Sequence, residues 1–123
     1  MLTIVKKRIA PEVMVLEMAG SFVLGRPCQQ VERHLEELLG EGVSVVVFDL
    51  ALTGHVDSTG LGTIVNASRK LEAAGGQLRL AGASQGIESM ARRTGISRRI
   101  PFYPTVEEAL QGRPIAQPQR AQK

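Results

Sequence analysis

Aromatic residues are scarce in this chain. Phe22, Phe48, Phe102 and Tyr103 are the whole set, and tryptophan is missing. Single-stranded nucleic acid is held on stacked aromatic platforms, and these four residues offer little of that kind. Cysteine is scarcer still: Cys28 stands alone, which excludes an internal disulfide and fits a reducing compartment. Its helical spacing with Val31 and Leu35 marks it as a small core residue rather than a reactive thiol. There are two histidines, His34 and His55, too few with one cysteine for a zinc set. No apolar run approaches the roughly 20 residues of a membrane span. No apolar stretch follows the early charges Lys6, Lys7 and Arg8 as a secretory leader requires. The expectation is a soluble, cytoplasmic protein with no membrane association.

The charge is also less than it looks. The net +3 arises from Arg113, Arg120 and Lys123, because residues 1–112 carry equal numbers of basic and acidic side chains. Direct nucleic-acid binding is therefore not indicated. The segment 113–123 has two prolines, three basic residues and no acid. It reads as a disordered basic tail behind a domain spanning 1–112. A hydrophobic content of 43% over 123 residues is ample for one globular domain.

The elements follow from periodicity. Leu2 to Ile9 and Val13 to Met18 read as strands of a hairpin broken at Ala10-Pro11-Glu12, with a loop from Gly20 to Pro27. Cys28, Val31, Leu35, Leu38 and Leu39 lie on one face of a helix that Pro27 opens and Gly40 stops. Val43 to Leu50 is apolar on both faces, as a central strand requires. Leu61, Ile64, Val65, Ser68 and Leu71 form a second helical stripe ending at Gly75-Gly76. Gln77 to Ala81 is a strand. Ser84 caps a third helix bearing Ile87, Met90 and Ala91. Ile100 to Tyr103 is an edge strand, since Pro101 interrupts it. Thr105 to Glu108 is a capping box for a last helix. The order β-β-α-β-α-β-α-β-α predicts an α/β fold: a mixed sheet, an N-terminal hairpin then parallel strands, packed with about four helices.

The most informative stretch is Asp57-Ser58-Thr59-Gly60-Leu61-Gly62, between the central strand and the second helix. It puts a hydroxyl at a helix N-terminus, where backbone N–H groups lack intrahelical partners and favour an anion. Two local readings stand. Ser58 is an ordinary N-cap, or it is a site for an added phosphate. Enzymatic readings lack parts. Gly-x-Ser-x-Gly is absent, although His55 is close enough in sequence to contact Ser58. The aspartic protease triplet has glycine two residues after aspartate, not three, and needs a second aspartate. No Gly-Lys-Ser/Thr phosphate loop occurs. Asp49 ends a strand as a receiver-domain aspartate does, but the acidic pair of a receiver is missing. No catalytic residue, metal or cofactor is expected.

Asp49-Leu50, Val56-Asp57-Ser58-Thr59-Gly60-Leu61-Gly62 and Gly75-Gly76-Gln77-Leu78 resemble the STAS domain of anti-sigma factor antagonists, over roughly residues 2–112. Thr94-Gly95-Ile96 lends weaker support. The resemblance implies a non-enzymatic partner-switching protein. Ser58 would be phosphorylated by an anti-sigma factor that is also a serine kinase. The unphosphorylated form would bind that kinase and free the sigma factor, and a PP2C-type phosphatase would reset the switch. The partner surface would comprise Asp57, Ser58, Thr59, Gly60, Leu61 and Gly62, with Phe22 and Leu24 from the preceding loop. That loop departs from the family: Val23 stands where many members have aspartate. The rival within the same resemblance is a scaffold, or a soluble subunit of a larger signalling or transporter complex.

Overall fold

In the computed structural model, residues 1–112 are described. The expectation of a disordered basic tail falls on 113–123, outside the described residues. The hairpin forms as β1 (Leu2–Ala10) and β2 (Val13–Phe22), antiparallel, with Arg8 opposite Met14. Then come α1 (Arg26–Gly40), β3 (Val45–Val56), α2 (Ser58–Ala73), β4 (Gln77–Ala81) and α3 (Gln85–Arg93). A short 3-10 turn (Ile96–Arg98), β5 (Phe102–Tyr103) and α4 (Val106–Gln111) complete the order. The sheet runs β1-β2-β3-β4-β5, with β2 to β5 parallel. The expected mixed α/β sheet with four helices is what the described residues form.

Strand alternation sorts the core into two layers. Met14, Leu16 and Met18 of β2 and Val46, Phe48 and Leu50 of β3 face α1, α2 and α3. Val15, Val47, Ala81 and Tyr103 face the other way, under Ala109 of α4. This is why Val45 to Leu50 had to be apolar on both faces. Caps close the helices as their sequences imply. Ser84 Oγ accepts the Ile87 N–H at 3.2 Å and Thr105 Oγ1 accepts that of Glu108 at 3.2 Å.

Two strands outrun their expected ends. β2 does not stop before Gly20 but continues through Phe22, and β3 continues past Leu50 to Val56. The two extensions pair with each other: Ala19 with Leu52, Gly20 with Thr53, Ser21 with His55, Phe22 with Val56. Register shifts interrupt the ladder twice, each leaving an extra residue on β3. Such bulges break the two-residue period. Leu52 is thereby turned to solvent, 74% exposed. Thr53 is buried, its hydroxyl donating to the Met18 carbonyl at 2.8 Å. The extensions carry the chain to the start of α2, and so position the site.

Candidate functional site

The turn from β3 into α2 is organised by Asp57. Its Oδ1 accepts the Gly60 N–H at 2.8 Å, which makes Asp57 the N-cap of α2. Its Oδ2 accepts the Leu24 N–H at 3.0 Å. Its own N–H donates to the Phe22 carbonyl at 3.4 Å, and its carbonyl accepts from Leu61 at 2.9 Å. One side chain thus ties the loop after β2 to the first turn of α2. The two backbone donors, from Leu24 and then Gly60, hold its carboxyl below the ordinary value of 3.8, with His55 adding positive potential.

This arrangement narrows the expectation that the N–H groups at the helix start are free for an added anion: that of Gly60 is taken. Asp57 already supplies the anion there. It also displaces Ser58 from the cap: Ser58 is the first residue of the helix and is exposed. Thr59 follows, also exposed, with its carbonyl accepting from the Thr63 hydroxyl at 3.0 Å. Gly62 is exposed with open space around it.

Three members of the expected partner surface lie inside instead. Phe22 is fully buried, because β2 extends far enough to carry it into the core beside Val56. Leu61 is buried on the inner face of α2. Gly60 is buried against β2, and a Cβ there would stand 2.2 Å from the Phe22 carbonyl oxygen. Its missing side chain serves close packing within the chain, not the approach of a partner. Leu24 is the apolar residue that does reach the surface, 70% exposed. The surface set is therefore Leu24, Ser58, Thr59 and Gly62, with Asp57 partly exposed between them.

Sequence reasoning missed the capping role of Asp57, although aspartate ranks with serine as an N-cap. It also missed exposed Leu52, for which alternation gave no signal across a bulge.

Chemically the site displays a hydroxyl and little else. Ser58 has no hydrogen bond to His55 or to another base among the described residues, so a nucleophile–base pair is not assembled. Cys28 is buried in the core, and its thiol donates to the Val23 carbonyl at 3.1 Å. Burial pushes that thiol up, away from reactivity. Among the described residues no group of three His, Cys, Asp or Glu is placed to hold a metal ion, and no helix is long and apolar enough to cross a membrane.

Several known proteins are similar. A Thermotoga neapolitana protein, named by inference an anti-sigma factor antagonist, is 29% identical over 76 residues, covering 62% of this chain and 67% of its own. An anti-sigma factor antagonist from Mycobacterium paratuberculosis superposes with a TM-score of 0.77 at 19% identity, over 91% of this chain and 93% of that one. The Bacillus cell fate determinant SpoIIAA in its phosphorylated form superposes with a TM-score of 0.72 at 20% identity, over 89% and 97%. At such identities these two structures speak for the fold. The family profile of the STAS domain matches residues 5–109, and on that match the chain belongs to the STAS domain family.

Proposed function

We infer that this chain is an anti-sigma factor antagonist whose switch is phosphorylation of Ser58, carried on a STAS module spanning residues 1–112. The observation that carries the reading is the display of Ser58. It is exposed at the first position of α2, while the residues on both sides are pinned, Asp57 by two backbone donors and Gly60 by close contact with Phe22. A hydroxyl on a rigid turn can be modified by an enzyme and read by a partner without unfolding the turn. Names among the similar proteins support an anti-sigma factor as that partner. The resemblance of the motif supports a serine kinase as the same partner, and a PP2C-type phosphatase to reverse the reaction. On this reading the protein is non-enzymatic, in keeping with the absence of a base paired with Ser58 among the described residues. Exposed Leu24, beside the clamp, supplies the apolar contact of the surface.

A phosphate adds about −1.5 to −2 charge. A kinase that packs closely over Leu24 and Ser58 would have to desolvate that charge, so the phosphorylated form is released.

The test uses the full chain and its candidate kinase with ATP. Mass spectrometry should place the phosphate on Ser58. In pull-downs, Ser58→Ala should hold the kinase permanently and Ser58→Asp poorly. Modification found only on Thr59, or equal retention of the two variants, rejects the switch. Co-purification with a transport ATPase in place of a kinase would support the scaffold or transporter-subunit reading.

A further inference from the structure

A second feature lies farther along α2. Ser68 is ten residues from Ser58, about 15 Å at 1.5 Å per residue. There, α2 meets the corner after α3 around a cavity of about 230 Å³. Val65, Ile96 and Ile100 give it apolar walls, and Arg69 and Arg99 stand at its edges. The volume equals about eight waters at ~30 Å³ each. That admits a small acid.

Ser68 distinguishes this cavity from a packing gap. It is only 6% exposed and lines the cavity, yet its hydroxyl has no hydrogen-bond partner among the described residues. Thr63, one turn earlier on the same helix, shows the usual alternative by donating back to the Thr59 carbonyl. The residue is buried but its hydroxyl oxygen is not sealed off, so it is open to water or a ligand in the cavity it lines. Thr94, across the cavity, has already committed its proton to the Met90 carbonyl at 2.9 Å. Ser68 is thus the donor left over. Gly95, left-handed at φ 83, turns the chain at the cavity's edge with no side chain to fill it.

The electrostatics select an anion. Arg69 takes part in no ion pair among the described residues. Arg99 has only Glu72, at 3.7 Å, and both side chains are well exposed. Such a pair is weak and easily exchanged. Residues 85–100 hold Arg92, Arg93, Arg98 and Arg99 against the single acid Glu88, which adds a positive field over the opening.

We propose that this cavity binds a small organic oxyanion, a carboxylate or phosphate carried on a short apolar body. The apolar body packs on Val65, Ile96 and Ile100. The oxyanion takes the two guanidiniums, and Ser68 donates its free proton. The site is independent of the reading of Ser58.

The experiment is a titration of the full chain followed by amide NMR, with benzoate and phenyl phosphate as probes. Inorganic phosphate and benzyl alcohol are the controls, supplying charge alone and apolar body alone. At least one probe should shift the amides of 65–69 and 94–100 saturably, with an affinity about tenfold or more above both controls. The tighter of the two probes names the oxyanion. Arg69→Gln and Arg99→Gln, both at exposed positions, should each weaken binding about tenfold, and Ser68→Ala by a smaller factor. Unshifted amides in β2 and β3 report that each variant is folded. The proposal is overturned by shifts that do not saturate, by shifts centred elsewhere, by a control that matches the probes, or by folded arginine variants that bind as the wild type does.

Discussion

Adding one methyl group at Gly60 should destabilise the protein, although alanine is the better helix former. Gly60 lies in the first turn of α2, where φ is not left-handed, so the backbone itself does not require glycine. The reason for glycine is the neighbour. A Cβ would stand 2.2 Å from the Phe22 oxygen, 3.2 Å from its carbonyl carbon and 3.0 Å from Val56 Cγ1. Carbon atoms are comfortable at about 3.5–4.0 Å, so α2 must retreat by more than 1 Å or β2 must move. Neither yields cheaply. Phe22 and Val56 are buried in the main core. Retreat of α2 lengthens the Phe22–Asp57 backbone bond, already 3.4 Å, and pulls Gly60 from the Asp57 carboxylate. Overpacking of this kind costs about 1–3 kcal/mol. The gain in helix propensity returns about 0.5–1 kcal/mol. Taking the middle of both ranges, the net loss of about 1 kcal/mol corresponds to a fall in Tm of about 4 °C or more for a domain of this size. Gly62 is the control. It is two residues on, in the same helix, with nothing within 4 Å, so Gly62→Ala keeps the propensity gain and should raise Tm by about 2–4 °C. Calorimetry of both variants decides the matter. A Gly60→Ala protein that melts at or above the wild-type temperature would refute the close-approach argument.

Other perturbations read other parts of the structure. Asp57→Asn keeps an N-cap but not the charge. Because backbone donors from Leu24 and Gly60 depress the Asp57 pKa, its contribution is present above the ordinary value of 3.8 and is lost as pH falls through the lower, folded value; melting curves across that acid range should be steeper in pH for the wild type, and equal slopes would count against the clamp. His34 on α1 has a buried Nδ1 without a partner, and its pKa is lowered by burial first and by Lys6 and Arg33 next, against Glu37. The wild type therefore loses stability as pH falls below 6.5, whereas His34→Leu should be about 1 kcal/mol more stable by an amount that grows on acidification; a variant no more stable at acid pH than at neutral would contradict this. Leu24→Ser should leave urea denaturation within about 0.5 kcal/mol of wild type, as exposed substitutions do, while weakening capture of the proposed kinase partner; undiminished capture would remove Leu24 from the proposed contact surface.

The parts of the fold that were legible in the sequence are those set by local rules. The stripe from Cys28 to Leu38, the cap at Ser84, the capping box at Thr105 and the two-faced run before Leu50 each depend on spacing within one element. The ends of β2 and β3 were not legible. Gly20 and Gly54 look like loop residues, and the bulges that carry Leu52 outward exist because two segments far apart in sequence pair with each other. The error on Phe22 has the same root: an apolar residue beyond Gly20 looks like loop surface until β2 is seen to continue. At the site, the location of the motif was plain from sequence, but the division of roles was not. Asp57 and Ser58 are both good N-caps. The choice between them is settled by Leu24, whose N–H claims the second oxygen of Asp57 from 33 residues away in the chain.

That division of roles bears on how the proposed switch works. A phosphate at a bare helix N-terminus would be drawn into it by the dipole and the unpaired N–H groups, partly hiding its charge from a partner. Here the end of α2 is partly occupied: Gly60 N–H goes to the Asp57 carboxylate, and Leu61 N–H makes the first helical bond to the Asp57 carbonyl. A dianion on Ser58 finds Asp57 negative beside it and the Gly60 donor taken, which disfavours drawing it into the helix end. The protein then has no cause to rearrange, and the whole charge faces outward beside Leu24. A partner that buries Leu24 must also strip solvent from that charge, and an uncompensated buried charge is among the most unfavourable things an interface can contain. On the proposed reading, Asp57 therefore does two things with one carboxylate. It holds the surface rigid, and by taking the Gly60 donor and placing a negative charge beside Ser58 it favours a phosphate that faces outward, toward the partner.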